Sequence, residues 1–172
     1  ISIGEYAFND NHLVSVEIPD SVIEIGYDAF SHNLYLDTVI LGSSLETIGS
    51  NAFSRTSLTS ITIPASVVRI DSEAFVKWEW DSCHWRGNDE ICITGLSELN
   101  FAEGSQLTQI GSYAFYGNNL SSVVIPNSVT EIDYEAFGNN KITSLVIGAD
   151  TSNGTSCSIS PYYVKSEITI TD

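Results

Sequence analysis

The residues best suited to chemistry or binding are concentrated in one segment of this chain, 76–95, which reads VKWEWDSCHWRGNDEICITG. The candidate contact residues in it are Trp78, Trp80, Asp81, His84, Trp85 and Arg86. Tryptophan and arginine are enriched among the residues that dominate binding energy, and the face of an indole also stacks on a sugar ring. The segment therefore predicts a ligand or partner site. The alternative is that the tryptophans fold back and cover the flank of the core.

Two of the three cysteines, Cys83 and Cys92, lie in the same segment. A disulfide between them would close a loop of about ten residues and contribute roughly 2–3 kcal/mol. We predict this pairing on the condition that the protein is extracellular, where disulfides persist. Zinc is the weaker alternative, because Cys83, His84 and Cys92 supply three ligands without the paired-cysteine spacing of a structural site. We predict no metal and no cofactor.

Catalytic motifs are missing from the sequence. It has no nucleophile elbow, no phosphate-binding loop and no H-E-x-x-H pair. Besides His84 the histidines are His12 and His32, which lie in corresponding turns just after a phenylalanine and are interpreted as solvent-facing turn residues. We therefore predict that the chain is not an enzyme.

The charge balance excludes several partner classes. The formal net charge is −16, with 22 acidic residues against six Lys and Arg. Binding to nucleic acid or to anionic lipid requires clusters of Lys and Arg, so neither is expected. The acidic residues indicate either a highly soluble surface or scattered cation binding, but no calcium-loop motif is present. No apolar run approaches 18 residues, so we expect no insertion into a membrane.

A recurring dipeptide predicts the repeated elements that position the segment 76–95. Ala-Phe occurs six times, ending at Phe8, Phe30, Phe53, Phe75, Phe115 and Phe137. The spacings are 22, 23, 22, 40 and 22 residues, so a unit of 22 is interrupted once, after Phe75. A fixed period of this size predicts a solenoid of about six coils. Stacked coils bury a continuous core that no single unit could form alone.

Each apolar or special position of the 22-residue unit has a structural role. Val16 and Ile18 are two residues apart and share one face of a short strand. Pro19 ends that strand because it cannot donate to a continuing ladder. The step before Ala29-Phe30 is interpreted as a turn into a short helical piece, in which the small alanine allows close approach and the phenylalanine fills the space between coils.

The pattern L-x-x-V-x-I-P-x-x-V-x-x-I-G-x-x-A-F resembles the BspA-like, or Treponema-type, leucine-rich repeats. The resemblance covers residues 1–148 apart from the insertion at 76–95, and it implies a solenoid of short parallel strands stacked with helical turns. The chain departs from the family pattern at Asp71 and Asp133, which replace glycine, and by two residues added between Phe101 and Leu107. We expect these departures to reshape turns only.

The resemblance also implies that the strand face pointing away from the core is a concave binding side. The candidates on it are Glu17, Ile40, Thr62, Asn100, Val124 and Val146. Ile40, Val124 and Val146 have an alternative interpretation as simple strand formers.

We divide the chain into a solenoid, 1–148, that begins within a repeat, and a C-terminal cap or linker, 149–172. Because the first repeat lacks its strand and the chain starts without Met, we expect a fragment or a processed chain.

The resemblance implies a non-catalytic binding module of a secreted or cell-surface protein, which binds extracellular proteins or mediates cell adhesion. One alternative is recognition of a polysaccharide through the tryptophan-rich insertion. Another is a structural spacer that self-associates end to end through its open edges.

Overall fold

A computed structural model describes residues 1–78, 83–86, 89–148 and 158–159. Two sets of parallel strands alternate along the chain. The strands of the first set are β2 (Ser15–Glu17), β4 (Thr38–Ile40), β6 (Ser60–Ile63), β10 (Glu98–Phe101), β12 (Ser122–Ile125) and β14 (Ser144–Ile147). Those of the second set are β1 (Ser2–Ile3), β3 (Glu24–Ile25), β5 (Thr47–Ile48), β7 (Arg69–Ile70), β11 (Gln109–Ile110), β13 (Glu131–Ile132) and β15 (Ser158–Ile159). The insertion adds β8 (Cys83–Arg86) and β9 (Asp89–Cys92).

The second set forms a continuous seven-stranded parallel sheet in the order β1-β3-β5-β7-β11-β13-β15. Its register places an isoleucine of each strand beside an isoleucine of the next, and Ile25, Ile48, Ile70 and Ile110 are fully buried. The sequence interpretation missed these second strands, because two residues are too short a run to show alternation. The leucine-rich repeat solenoid itself is confirmed.

The first set forms three separate two-stranded sheets: β2 with β4, β6 with β10, and β12 with β14. The breaks lie before β6 and β12, the strands that are followed by Pro64 and Pro126. At the equivalent positions after β10 and β14, Ala102 and Gly148 donate their N–H groups to the preceding coil, over 2.9 and 3.0 Å. A proline has no N–H to donate there, so the pairing between coils is lost at both prolines.

The core is built around a column of stacked phenylalanines, one for each coil. Neighbouring ring centroids are 5.2–5.3 Å apart and the ring planes are within 10° of parallel, through Phe8, Phe30, Phe53, Phe75, Phe115 and Phe137. Phe75 stacks directly on Phe115 although forty residues separate them in the chain. The insertion therefore leaves and re-enters the stack without separating the coils.

The segment before each phenylalanine differs from prediction, since the described residues contain turns in place of helical pieces. The residue before each alanine has a left-handed backbone, with φ between 49 and 61° at Tyr6, Asp28, Asn51, Glu73, Tyr113 and Glu135. A helix requires negative φ throughout, so this residue prevents one from forming. The left-handed residue recurs in every coil, which makes it a property of the repeat and not of a particular site.

A buried asparagine joins neighbouring coils at the third residue after the phenylalanine. Asn118 is the clearest example: its Nδ2 donates to the carbonyls of Phe75 and Phe115 over 2.9 and 3.0 Å, and its Oδ1 accepts the Leu96 N–H at 2.8 Å. Asn33 and Asn140 make the equivalent contacts in their own coils. These amides satisfy backbone groups that the turns leave without partners.

Candidate functional site

The insertion contains an antiparallel hairpin of β8 and β9. Its register places Cys83 opposite Cys92, and the two are joined by the predicted disulfide. The Glu90 carboxylate lies near both sulfurs. Because the two sulfurs are bonded to each other, neither is a thiolate that could ligate zinc.

We expect the disulfide to stabilise the hairpin alone. Reduction should lower the local stability of the hairpin by about 2–3 kcal/mol, because the closed loop is short. Amide hydrogen exchange at Ile91 and Cys92 should accelerate, while the melting temperature of the stack stays within a few degrees. A double variant, Cys83→Ser with Cys92→Ser, should show the fast exchange without reductant. Melting of the entire stack on reduction would contradict this expectation.

Trp78 occupies the position that the buried asparagine holds in other coils. Its ring packs on two tyrosines of the following coil, with centroids 5.5 Å from Tyr113 and 4.9 Å from Tyr116. Tyr113 in turn contacts Tyr134 edge to face at 5.4 Å. Trp78 is half-buried, so it partly covers the flank of the stack and keeps one side accessible. We call these four residues the aromatic cluster.

The other insertion candidates are only partly described. Trp80 and Asp81 lie outside the described residues. His84, Trp85 and Arg86 lie on β8, opposite Ile91, Glu90 and Asp89, and the structure describes their backbone and not their side chains.

The two ends of the insertion are anchored to the coil that follows it. The Lys77 N–H donates to the Tyr116 carbonyl at 2.9 Å, and Asn118 accepts the N–H of Leu96. Gly117 has φ +74°, and a Cβ added to it would collide with the carbonyl oxygen of Lys77. This close approach requires glycine, because a side chain would push the start of the insertion away from the stack.

Beside Trp78, an open groove of about 230 Å³ crosses the turns of three coils. The residues that line this turn-face groove are Tyr27, Asp28, His32, Asn51, Ser54, Arg55, Glu73, Val76 and Trp78. Tyr27 and Trp78 are aromatic members of the lining, and buried Val76 lies between polar neighbours. Arg55 is one of only six basic residues in the chain.

Hydrogen bonds in the groove determine which atoms of His32 and Tyr27 carry a proton. Arg55 Nη1 donates to His32 Nε2 at 2.6 Å, so His32 Nδ1 carries the proton and faces the Ser31 hydroxyl at 3.2 Å. A hydrogen bond to Asp28, and a weaker one involving Tyr6, raises the pKa of Tyr27 to about 12. The tyrosine is a neutral donor at physiological pH, as it would be at its ordinary pKa, and the shift extends this state to higher pH. His32, predicted to be a solvent-facing turn residue, does lie in a turn, but it is half-buried and both of its ring nitrogens are hydrogen-bonded.

The strand-face candidates lie together as three register pairs. Glu17 lies beside Ile40, Thr62 beside Asn100, and Val124 beside Val146. Five of them are exposed, with Ile40 57% and Val124 61% accessible, whereas Val146 is half-buried. The outward direction predicted for this face is therefore observed, and two exposed aliphatic side chains stand on it.

A larger opening, of about 490 Å³, interrupts the strand face between β10 and β12. Its lining comes from these strands and the turns that follow: Leu99, Asn100, Phe101, Ala102, Gly104, Ser105, Ser122, Val124, Pro126, Asn127 and Ser128. We call it the strand slot. The two residues added between Phe101 and Leu107 were expected to reshape a turn only, but the turn they enlarge forms one side of this slot.

The sequence reasoning missed the turn-face groove, the strand slot and the asparagine ladder. The ladder had a signal, since Asn11, Asn33, Asn118 and Asn140 share one position of the repeat. The slot had a weaker one, the combination of Pro126 with a lengthened turn. The groove had none, because its residues come from three coils and share no spacing.

No helix is present among the described residues, so none there is long and apolar enough to cross a membrane. A search of curated proteins finds none that matches the chain.

The solved structure of the pneumococcal vaccine antigen PcpA is 24% identical to this chain in sequence, with a TM-score of 0.69 over 86% of this chain. The chain spans only 36% of the length of that protein, and at this identity the likeness concerns the fold.

Two further solved structures are similar. A leucine-rich repeat protein from Bacteroides ovatus is 20% identical, with a TM-score of 0.35 over 87% of this chain and 53% of its own. A leucine rich cell surface protein from Faecalibacterium prausnitzii is 19% identical, with a TM-score of 0.35 over 92% of this chain and 73% of its own. The family described as the BspA type leucine rich repeat region matches in six copies over residues 1–85 and 91–170. With the phenylalanine column and the repeated strand pairs, this match shows that the chain belongs to the BspA-type leucine-rich repeat family.

Proposed function

We propose that this chain is a non-catalytic binding module of a secreted or cell-surface protein, and that it mediates protein–protein contacts in adhesion. The observation that carries the proposal is the aromatic cluster beside the turn-face groove. Trp78 packs against Tyr113 and Tyr116, and Arg55 lines the same groove. Trp, Tyr and Arg are the residue types that dominate protein interfaces.

The rigidity of the scaffold supports this proposal. The cluster and the groove stand on turns whose phenylalanines are fully packed, so their side chains are positioned before a partner arrives. Preorganised side chains lose less conformational entropy on binding than mobile ones. A solenoid also offers a long surface for its size, which suits extended contacts with a macromolecule.

The disulfide and the net charge support an extracellular or cell-surface location for the protein. The Cys83–Cys92 disulfide lies on an exposed hairpin, and such bonds persist in oxidising, extracellular surroundings. A net charge of −16 keeps the surface soluble and disfavours binding to phosphate-rich polymers. Both features are compatible with a domain that is displayed outside the cell.

We expect Trp78→Ala to weaken binding to a partner protein by about 2 kcal/mol, or roughly 30-fold in Kd, because a hot-spot side chain is removed. The partner would be found by screening the chain against extracellular proteins and whole cells, with monomers separated from any self-associated species by size exclusion. Tyr35→Ala removes another exposed aromatic away from the groove and should bind as the parent does. A loss of more than about 10 °C in melting temperature for Trp78→Ala would make that residue structural.

Recognition of a polysaccharide by the insertion is the second candidate, favoured by the mixture of Trp78 with Asp28, Asn51 and Glu73 around one groove. Aromatic and hydrogen-bonding groups together suit a sugar as well as a protein loop. The two candidates separate in the same screen, since a glycan array should then give signals that Trp78→Ala abolishes while the protein panel gives none.

A further inference from the structure

We propose that the strand slot between β10 and β12 binds one residue of a neutral carbohydrate. The proposal rests on the proposed function as a binding module, and it concerns a different surface from the turn-face groove. The volume of about 490 Å³ falls within the range of small-ligand pockets. Four features of the slot define the ligand: its width, its charge, its hydrogen-bonding groups and its apolar wall.

The width excludes a peptide strand. On the opposite side of the stack, β11 and β13 pair normally, and at the start of the slot the Asn119 N–H donates to the Leu96 carbonyl at 2.8 Å. The coils are therefore spread only on the strand face, where Cα atoms of β10 and β12 still come within 8 Å. A strand inserted between two others needs them roughly 9.6 Å apart, twice the normal spacing. A ligand therefore lies in the open mouth of the slot, against its lining residues, and not between the two strand backbones.

The charge of the slot excludes an ionic ligand. None of the eleven lining residues is charged, although the chain has 22 acidic residues. Glu98 and Glu103 are exposed beside the slot and outside its lining. Their carboxylates repel sialylated or sulfated glycans, and a cationic ligand would find no acceptor of opposite charge in the lining. A neutral ligand meets neither penalty.

The hydrogen-bonding groups suit a polyol. Three serine hydroxyls and two asparagine amides line the slot, and each can both donate and accept. The Ser128 hydroxyl oxygen is buried and has no hydrogen-bond partner among the described residues. A buried hydroxyl without a partner is uncommon, and we expect it to turn toward the slot when a ligand is bound there. The Ser105 hydroxyl accepts the Leu107 N–H at 3.3 Å, so its proton is available to a ligand.

The remaining wall of the slot is apolar. Phe101, Val124 and Pro126 contribute to it, and Val124 is among the most exposed aliphatic side chains of the described residues. A pyranose ring presents hydroxyls at its rim and C–H groups on its faces, so it can meet both the serines and this wall. Burial of the C–H face supplies the apolar contribution that hydroxyl contacts alone lack.

The test is a glycan array of neutral oligosaccharides of glucose, galactose, mannose and N-acetylglucosamine, followed by titration of the positive members. Sialylated and sulfated glycans and uncharged peptides form the comparison arms. Ser122→Phe fills the slot, and Ser144→Phe is its matched control, because Ser144 is the register partner of Ser122 on β14 and lies outside the lining. Ser128→Ala removes only the unpartnered hydroxyl.

The expected result is that a neutral oligosaccharide binds the parent chain, that Ser122→Phe weakens it at least tenfold, and that Ser144→Phe leaves it unchanged. Ser128→Ala should weaken binding about tenfold without lowering the melting temperature, since that hydroxyl makes no hydrogen bond in the described part of the chain. This second variant preserves the test if Ser122→Phe unfolds.

Three results would overturn the proposal: no neutral glycan binds at millimolar concentration, only peptides bind, or binding is lost in Trp78→Ala and kept in Ser122→Phe. If glycans fail while the chain still captures an extracellular protein or cells, only the slot proposal is wrong. If glycans, proteins and cells all fail to bind, the proposed function as a binding module fails as well.

Discussion

Phe53→Ala is expected to lower the free energy of unfolding by about 3–5 kcal/mol, the range for removing a fully buried phenylalanine. Phe53 is 1% exposed and stacks between Phe30 and Phe75, with both centroid distances at 5.3 Å. The substitution empties a volume that both neighbouring coils share, so it weakens two interfaces of the stack at once. Chemical denaturation monitored by circular dichroism would measure the change in unfolding free energy.

Phe8→Ala is the matched control in the same column. Phe8 is 45% exposed and, within the described part of the chain, stacks on one ring only, that of Phe30, at 5.2 Å. Its loss should cost about 1 kcal/mol, since half of the side chain is already in contact with water. Equal effects of Phe8→Ala and Phe53→Ala would show that the phenylalanine column is not a cooperative core, contrary to the stacking geometry.

Asn118→Ala is expected to lower the free energy of unfolding by about 3 kcal/mol, because two buried backbone groups lose their side-chain partner and a third keeps only one of two. The Phe75 carbonyl and the Leu96 N–H lose Asn118, whereas the Phe115 carbonyl still accepts from Asn140 Nδ2 at 2.8 Å. Leu96 is where the chain returns from the insertion, so the substitution should also loosen the docking of the hairpin. Hydrogen exchange at Leu96 would report that loosening directly.

Asn11→Ala is the control, since Asn11 holds the same position of the repeat at the exposed first coil. Among the described residues, its side chain donates only to the Asn9 carbonyl, over 3.1 Å. The expected loss there is below about 0.5 kcal/mol, as for other surface substitutions. If Asn118→Ala proves equally mild, water replaces the amide and the ladder does not stabilise the turns.

Much of the architecture could be predicted because the repeat encodes it many times. The Ala-Phe dipeptide marks the core column, and alternation at Ile61, Thr62 and Ile63 predicts which side of each strand is buried, as observed. The Cys83–Cys92 pairing was also predictable, since both cysteines lie in one short segment. Local spacing carries these features, so no knowledge of distant contacts is needed.

The helical pieces were the main error in the fold. A short apolar step before Ala29-Phe30 is compatible with a helix, but the left-handed backbone at Asp28 turns the chain instead. Only non-glycine residues occupy this position in the six coils, so composition offered no warning of the positive φ. Contacts with the next coil impose that conformation, including the hydrogen bond from the Asp28 N–H to the Ser50 carbonyl at 2.9 Å.

The candidate sites show where sequence reasoning reaches its limit. Trp78 was predicted as a contact residue, but its partners Tyr113 and Tyr116 lie more than thirty residues away. Arg55 and Glu73 gained significance only because neighbouring coils place them around one groove. The neutral character of the strand slot was likewise hidden in a strongly acidic chain, since net charge describes the molecule and not the lining of one opening.

The sequence by itself determined the solenoid, its core column and the location of the insertion, because a residue that faces the core must do so at the same position in every repeat. Only the tertiary structure decided where openings occur. An opening depends on the distance between two coils, which reflects a missing N–H at Pro126, a lengthened turn before Leu107 and the pairing of β11 with β13 on the opposite side. Such distances arise from the balance of contacts across the stack, and no single repeat contains that information.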